Sequence, residues 1–224
     1  MKERRNAFTL AEVLITLVII GVIGALTVPA LIQNTQKQEL TAALKKTYST
    51  LSQVTQQIIA EEGNLEEWSP SLDDIYNAYK EKLNVLKDCG TSAGCWPQSP
   101  YTKFLNGNKA SSNRDIDGDS NWRKLVLSDG VSIAIDFGIP PCSSVWDNGG
   151  LKNSCGRVYA DINGAKGPNQ LGRDIFFFGI KKDGLYPAGV DGAADRSCST
   201  SNAAGGIYGE GCAARVLTEG AMKY

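Results

Sequence analysis

The chain opens on a short polar head followed by a long apolar run. Lys2-Glu3-Arg4-Arg5 carries three positive charges and one negative, and from Val13 to Ile32 no charged residue occurs. That run has the ~20 residues a helix needs to cross a bilayer core of about 30 Å. Two residues break its character: Glu12 just before it and Pro29 near its end. Beyond Ile32 the pattern becomes striped. Leu40, Leu44, Tyr48, Leu51, Val54 or Thr55, and Ile58 recur at threes and fours, which places them on one helical face. No Gly or Pro interrupts between Ala30 and Glu62, and Gly63 is a suitable stop. The spacing predicts one helix from Phe8 to about Glu62, about 80 Å long at the usual rise.

A second helix is expected to start at Ser71, with acids two and three residues on as capping partners. Leu72, Ile75, Tyr76, Tyr79, Leu83 and Leu86 continue its apolar face, and Gly90 closes it. From Trp122 the period changes to two. KLVLSDGVSIAIDFG alternates on both sides of Asp129-Gly130, a hairpin signal, and GRVYADI and DIFFFGI are further strands. The expected class is α+β: a long N-terminal helix, apolar in its first half, packed by its second half on an antiparallel sheet. No internal repeat is present.

Composition adds constraints. Hydrophobic residues make up 42% and charged residues 21%, an ordinary globular balance, and the net charge of −1 gives nucleic acid no electrostatic reason to bind. The chain has no histidine, which removes the commonest general base and zinc ligand. No Walker loop, GxSxG or HExxH occurs, and an enzyme is not expected. The six cysteines, Cys89, Cys95, Cys142, Cys155, Cys198 and Cys212, include no CxxC. Disulfides fit better than zinc, and they place this part of the chain in an oxidising compartment. Six cysteines allow 15 pairings. Their gaps favour three local loops, Cys89–Cys95, Cys142–Cys155 and Cys198–Cys212.

The N-terminus has two ordinary readings. A secretory signal has a shorter apolar core and a small-residue cut site after it. A plain anchor leaves Glu12 without a role, although a carboxylate in hydrocarbon costs about 2.5–3.5 kcal/mol on insertion scales. The basic flank stays on the cytoplasmic side, so the rest of the chain faces outward.

The run Ala7-Phe8-Thr9-Leu10-Ala11-Glu12-Val13-Leu14-Ile15 resembles the prepilin signal of type IV pilins and type II secretion pseudopilins. The resemblance implies that a prepilin peptidase cuts between Ala7 and Phe8, removing residues 1–7, and that Phe8 is N-methylated. It implies that Glu12 guides assembly by pairing with the amine of an adjacent subunit, a buried charge being tolerable once paired. Gly21 and Pro29 stand where the family's helix loosens within filaments, and proline supplies a physical reason by removing a backbone hydrogen bond. The family most often has glycine before the cut; Ala7 is also small, and slower processing is the expected cost. Residues 8–32 then form the transmembrane and assembly helix, and residues 33–224 an outer domain that includes the amphipathic half of that helix. The implied partners are the peptidase, other pilin or pseudopilin subunits, an assembly platform in the inner membrane, and lipid before assembly. The implied location is the inner membrane as a single-pass precursor, then a periplasmic pseudopilus or an extracellular pilus. The alternative within this resemblance is a low-abundance tip protein whose outer domain binds a ligand, DNA or a partner.

Two loops are rich in oxygen. Asn113-Arg114-Asp115-Ile116-Asp117-Gly118-Asp119-Ser120-Asn121 alternates like a calcium loop, but the closing position holds Lys124 in place of Glu, so a polar loop is expected. Asp161, Asn163, Asn169 and Asp174 form the second set. Major pseudopilins use calcium in their C-terminal loops, which makes these four calcium candidates, but turn chemistry accounts for the same residues and no metal is assigned. Phe176-Phe177-Phe178 reads as a strand with two faces buried or one large ring exposed, or alternatively as a subunit contact. Trp68, Trp96, Trp122 and Trp146 are expected in core or loop packing rather than stacked on carbohydrate.

Overall fold

The structure is a computed structural model, and it describes residues 9–68, 70–97, 102–110, 116–138, 142–146, 150–192, 198–201 and 208–224, with the side chains of Trp68 and Trp146 outside that set. The chain divides into two compact units, with the boundary between Glu39 and Leu40.

Helix α1 spans Leu10–Glu62, and its residues up to Glu39 belong to the first unit. Within that part the side chains of Ile15, Val18, Leu26 and Leu31, on different sides of the helix, are all exposed. Its threonines turn inward on their own backbone: Thr16 Oγ1 donates to the carbonyls of Glu12 and Val13 at 2.9 Å, and Thr27 Oγ1 to that of Ile23 at 2.9 Å. An apolar surround rewards this, because no water is there to take the hydroxyl. Pro29 lies inside the helix and leaves the Ala25 carbonyl without its usual donor.

In the second unit the striped half of α1 buries Thr41, Leu44, Thr47, Leu51, Val54, Thr55 and Ile58. The helix stops at Gly63, whose φ of +93° favours glycine and whose N–H reaches the Ile59 carbonyl at 2.9 Å. A short helix α2 (Leu65–Trp68) leads to α3 (Leu72–Lys82). Ser71 caps α3 reciprocally: Asp74 N–H donates to Ser71 Oγ at 3.2 Å, and Ser71 N–H to Asp74 Oδ2 at 2.9 Å.

The apolar period over Leu83 and Leu86 suggests more helix than exists. Leu83 is extended, and β1 occupies Val85–Gly90, where Leu86 is 70% exposed. Pairing of β1 with β2 (Arg123–Leu127) supplies the hydrogen bonds that a longer helix would have made, so sheet contact overrides the local period. The hairpin at Asp129-Gly130 joins β2 to β3 (Ser132–Phe137), with Gly130 at φ +89°. Then follow β4 (Ser144–Trp146), β5 (Leu151–Asp161), β6 (Ile175–Lys181) and β7 (Gly184–Pro187). The seven strands form one antiparallel sheet in the order β1-β2-β3-β5-β6-β7, with β4 on β5. A closing helix α4 (Cys212–Glu219) ends at Gly220, which has φ +71°. The period-two and period-three patterns noted above did not reveal it.

Both faces of the sheet are covered. Ile133, Ile135, Val158, Ala160, Phe176, Phe178 and Ile180 meet the buried side chains of α1 and α3. Ala134, Tyr159, Ile175 and Phe177 point the other way, into a second cluster with Trp96 and Trp122. The three consecutive phenylalanines are therefore all core residues, each at most 1% exposed, and form no surface for another subunit. The cysteines pair as Cys89–Cys95, Cys142–Cys155 and Cys198–Cys212, the same three local loops that the spacing favours.

Candidate functional site: the helix N-terminus and two oxygen-rich loops

Glu12 has a local partner. Its Oε2 accepts hydrogen bonds from the Thr9 N–H and the Thr9 hydroxyl, both at 2.8 Å, and its own N–H donates to Thr9 Oγ1 at 3.2 Å. Thr9 stands one residue before α1, so this is a capping box that satisfies donors left open at a helix start. A negative charge in the first turn also suits the positive end of the helix dipole. The carboxylate therefore starts its own helix, a role separate from the expected pairing between subunits. The Thr-x-x-Glu spacing is the sequence signal for this cap. Ala7 and Phe8 lie outside the described residues. Gly21 lies within α1 with open space around it: a Cβ there meets nothing within 4 Å.

The first oxygen-rich loop already holds a cation. Asn113, Arg114 and Asp115 lie outside the described residues. In the remainder, Lys124 is fully buried and its ammonium donates to the carbonyls of Thr91, Ile116, Asp117 and Asp119 at 3.1, 3.2, 2.7 and 3.3 Å. The Asp117 carboxylate faces elsewhere and accepts the backbone N–H of Gly94 at 2.9 Å and of Trp96 at 3.1 Å. Lys124, in the position where a calcium loop closes with glutamate, brings its own positive charge into the carbonyl cage.

The second loop lies between β5 and β6. Asp161 ends β5 and Asp174 precedes β6, and both are fully buried. Asp174 Oδ1 accepts the Gln170 N–H at 2.6 Å, and Oδ2 the Asn169 N–H at 2.8 Å. The Asn163 side chain also reaches Asp174. Asp161 Oδ1 accepts the Asn163 N–H at 3.3 Å, and the Gly164 N–H also reaches this carboxylate. Asp161 Oδ2, Asn163 Oδ1 and Asn169 Oδ1 are buried with no hydrogen-bond partner. Burial, and then the neighbouring Asp174 charge, push the Asp161 carboxyl up to about 9. Burial also raises Asp174, against the backbone donors that hold it. No lysine or arginine pairs with either carboxylate among the described residues. Of the four tryptophans, Trp96 and Trp122 pack around Tyr159 and are buried, as a core role requires.

Comparison with known proteins gives two matches. The prokaryotic N-terminal methylation motif matches residues 3–28. The family of unknown function (DUF6613) matches residues 30–184. No curated protein and no solved structure matches the chain. The first match covers the segment that resembles a prepilin signal, ahead of an α+β domain of long helix, antiparallel sheet and disulfides. The chain is thus a type IV pilin-like protein, and it belongs to the family of unknown function (DUF6613).

Proposed function

We propose that this protein is a structural subunit of a type IV pilus or a type II secretion pseudopilus. The observation that carries the reading is the methylation motif at residues 3–28 on a helix whose first part is long and apolar enough to cross a membrane. In this reading residues 1–7 are removed on the cytoplasmic face, Phe8 is methylated, and residues 8–32 hold the precursor in the inner membrane. The same residues later pack against neighbouring subunits. Residues 33–224 form the domain outside the cytoplasm, where the disulfides are stable. Glu12 has two tasks: capping its own helix and, through its charge, pairing with the amine of the next subunit.

The two tasks separate by substitution. Glu12→Gln keeps a side chain able to accept the Thr9 hydrogen bonds but removes the charge. Glu12→Ala removes both. Both variants are expected to stay in the membrane with a folded outer domain and to be lost from filaments sheared from cells or trapped in the envelope. Normal assembly of Glu12→Gln rules out charge pairing, and normal assembly of both variants rules out any role for this residue in polymerisation.

A further inference from the structure

Packing around Tyr159 leaves the Trp96 indole N–H unused. The side chain is 4% exposed and stands edge-on to the Tyr159 ring, and its Nε1 is buried with no hydrogen-bond partner. Trp96 also lines a cavity of about 410 Å³, together with Cys95, Pro97, Val126, Ser132 and Ala165. Gly94 and Gly130 complete the described wall, which joins the Cys89–Cys95 loop, the β2–β3 hairpin and the β5–β6 loop. That volume falls within the ~300–1,000 Å³ range of small-ligand sites. An indole N–H can only donate, and buried donors in native proteins nearly always find an acceptor. Other donors of this wall are already satisfied. The N–H groups of Gly94 and Trp96 go to Asp117 Oδ1 at 2.9 and 3.1 Å, and that of Gly130 goes to the Leu127 carbonyl at 2.9 Å.

We propose that this cavity binds an uncharged apolar peptide segment of a partner chain, whose side chain fills it and whose backbone carbonyl accepts the Trp96 indole N–H. The wall selects the chemistry. Cys95, held in its disulfide, Pro97, Val126 and Ala165 offer apolar surface, and no charged side chain lines the cavity among the described residues. A charged ligand would lose its hydration there with nothing to replace it. The ligand therefore needs an apolar body and one neutral acceptor, and an amino-acid residue joins the two through a single Cα. The Ser132 hydroxyl is placed on the same wall to meet a second polar group. Gly94, Gly130 and Ala165 are exposed, so the mouth opens to solvent and a segment enters from outside.

The wall is fixed before any ligand arrives. The Cys89–Cys95 disulfide closes the loop at one end, Asp117 holds its Gly94 and Trp96 amides, and Lys87 Nζ donates to the Gly94 carbonyl at 2.8 Å. Val126 is set in the ladder opposite Lys87, and Ser132 opposite Asp161. Little ordering is left for the ligand to impose, which favours affinity. The inference does not rest on the subunit reading, and its test needs no filament.

The experiment places the full-length, nitrogen-15-labelled chain in phosphatidylcholine nanodiscs and titrates N-acetyl-leucinamide, which joins an apolar side chain to peptide carbonyls. The Trp96 indole proton is expected to move downfield and saturate, with half-saturation at about 1 mM. Isoamyl alcohol, a similar side chain without a peptide carbonyl, is expected to bind about tenfold more weakly, and charged N-acetylaspartate to leave the indole in place. Trp96→Phe keeps a ring and removes the donor; read at the Gly94 and Gly130 amides, its binding is expected to weaken about tenfold. Ala165→Trp, at an exposed position on the rim, is expected to abolish binding while the spectrum of the rest of the domain is kept. An indole that stays in place at about ten times the expected half-saturation means that water suffices there and overturns the site. Full binding in Ala165→Trp overturns its location, and full binding in Trp96→Phe overturns the part given to the indole. Equal binding of isoamyl alcohol or N-acetylaspartate overturns the uncharged peptide as the ligand.

Discussion

At the scale of the residue, Thr9 and Glu12 show how one side chain serves two levels of structure. The cap needs only an acceptor, whereas the proposed contact between subunits needs a charge. Thr9→Ala removes the cap and leaves the charge. It is expected to fray the first turn, with several-fold faster amide exchange at Leu10–Val13, while filaments still form. Loss of filaments in Thr9→Ala means that capping itself is the assembly requirement. Lys124 makes a second case. Its burial is tolerable because four carbonyls replace its hydration. Lys124→Met keeps the stem and strands the carbonyls, and a loss of about 3–5 kcal/mol is expected in chemical denaturation. A loss below about 1 kcal/mol means that water fills the cage equally well. Nothing in the sequence distinguished this lysine from a solvated one, because the cage is made of backbone atoms whose positions only the fold defines.

At the scale of the element, legibility followed how local the cause was. The Asp129-Gly130 hairpin depends on one turn, and alternation fixed its strands. The face of α1 depends on spacing within one helix, and Leu44, Leu51 and Ile58 are buried as the stripe requires. The apolar period runs past the end of α3 because β1 forms only by pairing with β2, from Val85 opposite Leu127 to Gly90 opposite Lys124. That partner lies some forty residues away. Asp88 marks the junction. It accepts from the Tyr76 hydroxyl, and Lys80 Nζ lies 3.1 Å from its other oxygen; chiefly the Tyr76 bond holds its carboxyl below the usual carboxylate range. A depressed folded-state value means the stabilisation is present above the unfolded value near ~3.9 and lost as pH falls below it. Asp88→Asn is expected to flatten the acid limb of a stability–pH curve below pH ~4 and leave its neutral region in place; an unchanged acid limb contradicts this account. Sheet packing gives a steric test. A Cβ at Gly156 of β5 comes within 2.6 Å of the Phe137 ring and 2.7 Å of the Asp136 carbonyl of β3. Gly156→Ala is expected to cost about 1–3 kcal/mol, and a neutral result means β3 and β5 yield more easily than a packed sheet should.

At the scale of the whole molecule, each compact unit has its own physical logic. Residues 10–39 are helical, and large apolar side chains such as Leu14, Ile20 and Leu31 are exposed along them. Residues 40–224 close a core on both faces of a sheet and tie their loops with three disulfides. The first unit was legible because membrane length, basic flank and methylation motif are all written in consecutive residues. In the second unit the β5–β6 loop was legible as oxygen-rich, but the full burial of Asp161 and Asp174 was not, since burial is a property of the folded chain. The central claim concerns the first unit: the basic head is a leader, and its removal creates the working N-terminus. The most direct test is the intact mass and N-terminal peptide of the protein recovered from filaments or from the cell envelope. The account predicts a chain that starts at Phe8 and carries one added methyl group, and a chain that still starts at Met1 when the prepilin peptidase is deleted. Recovery of the working protein with residues 1–7 attached contradicts it.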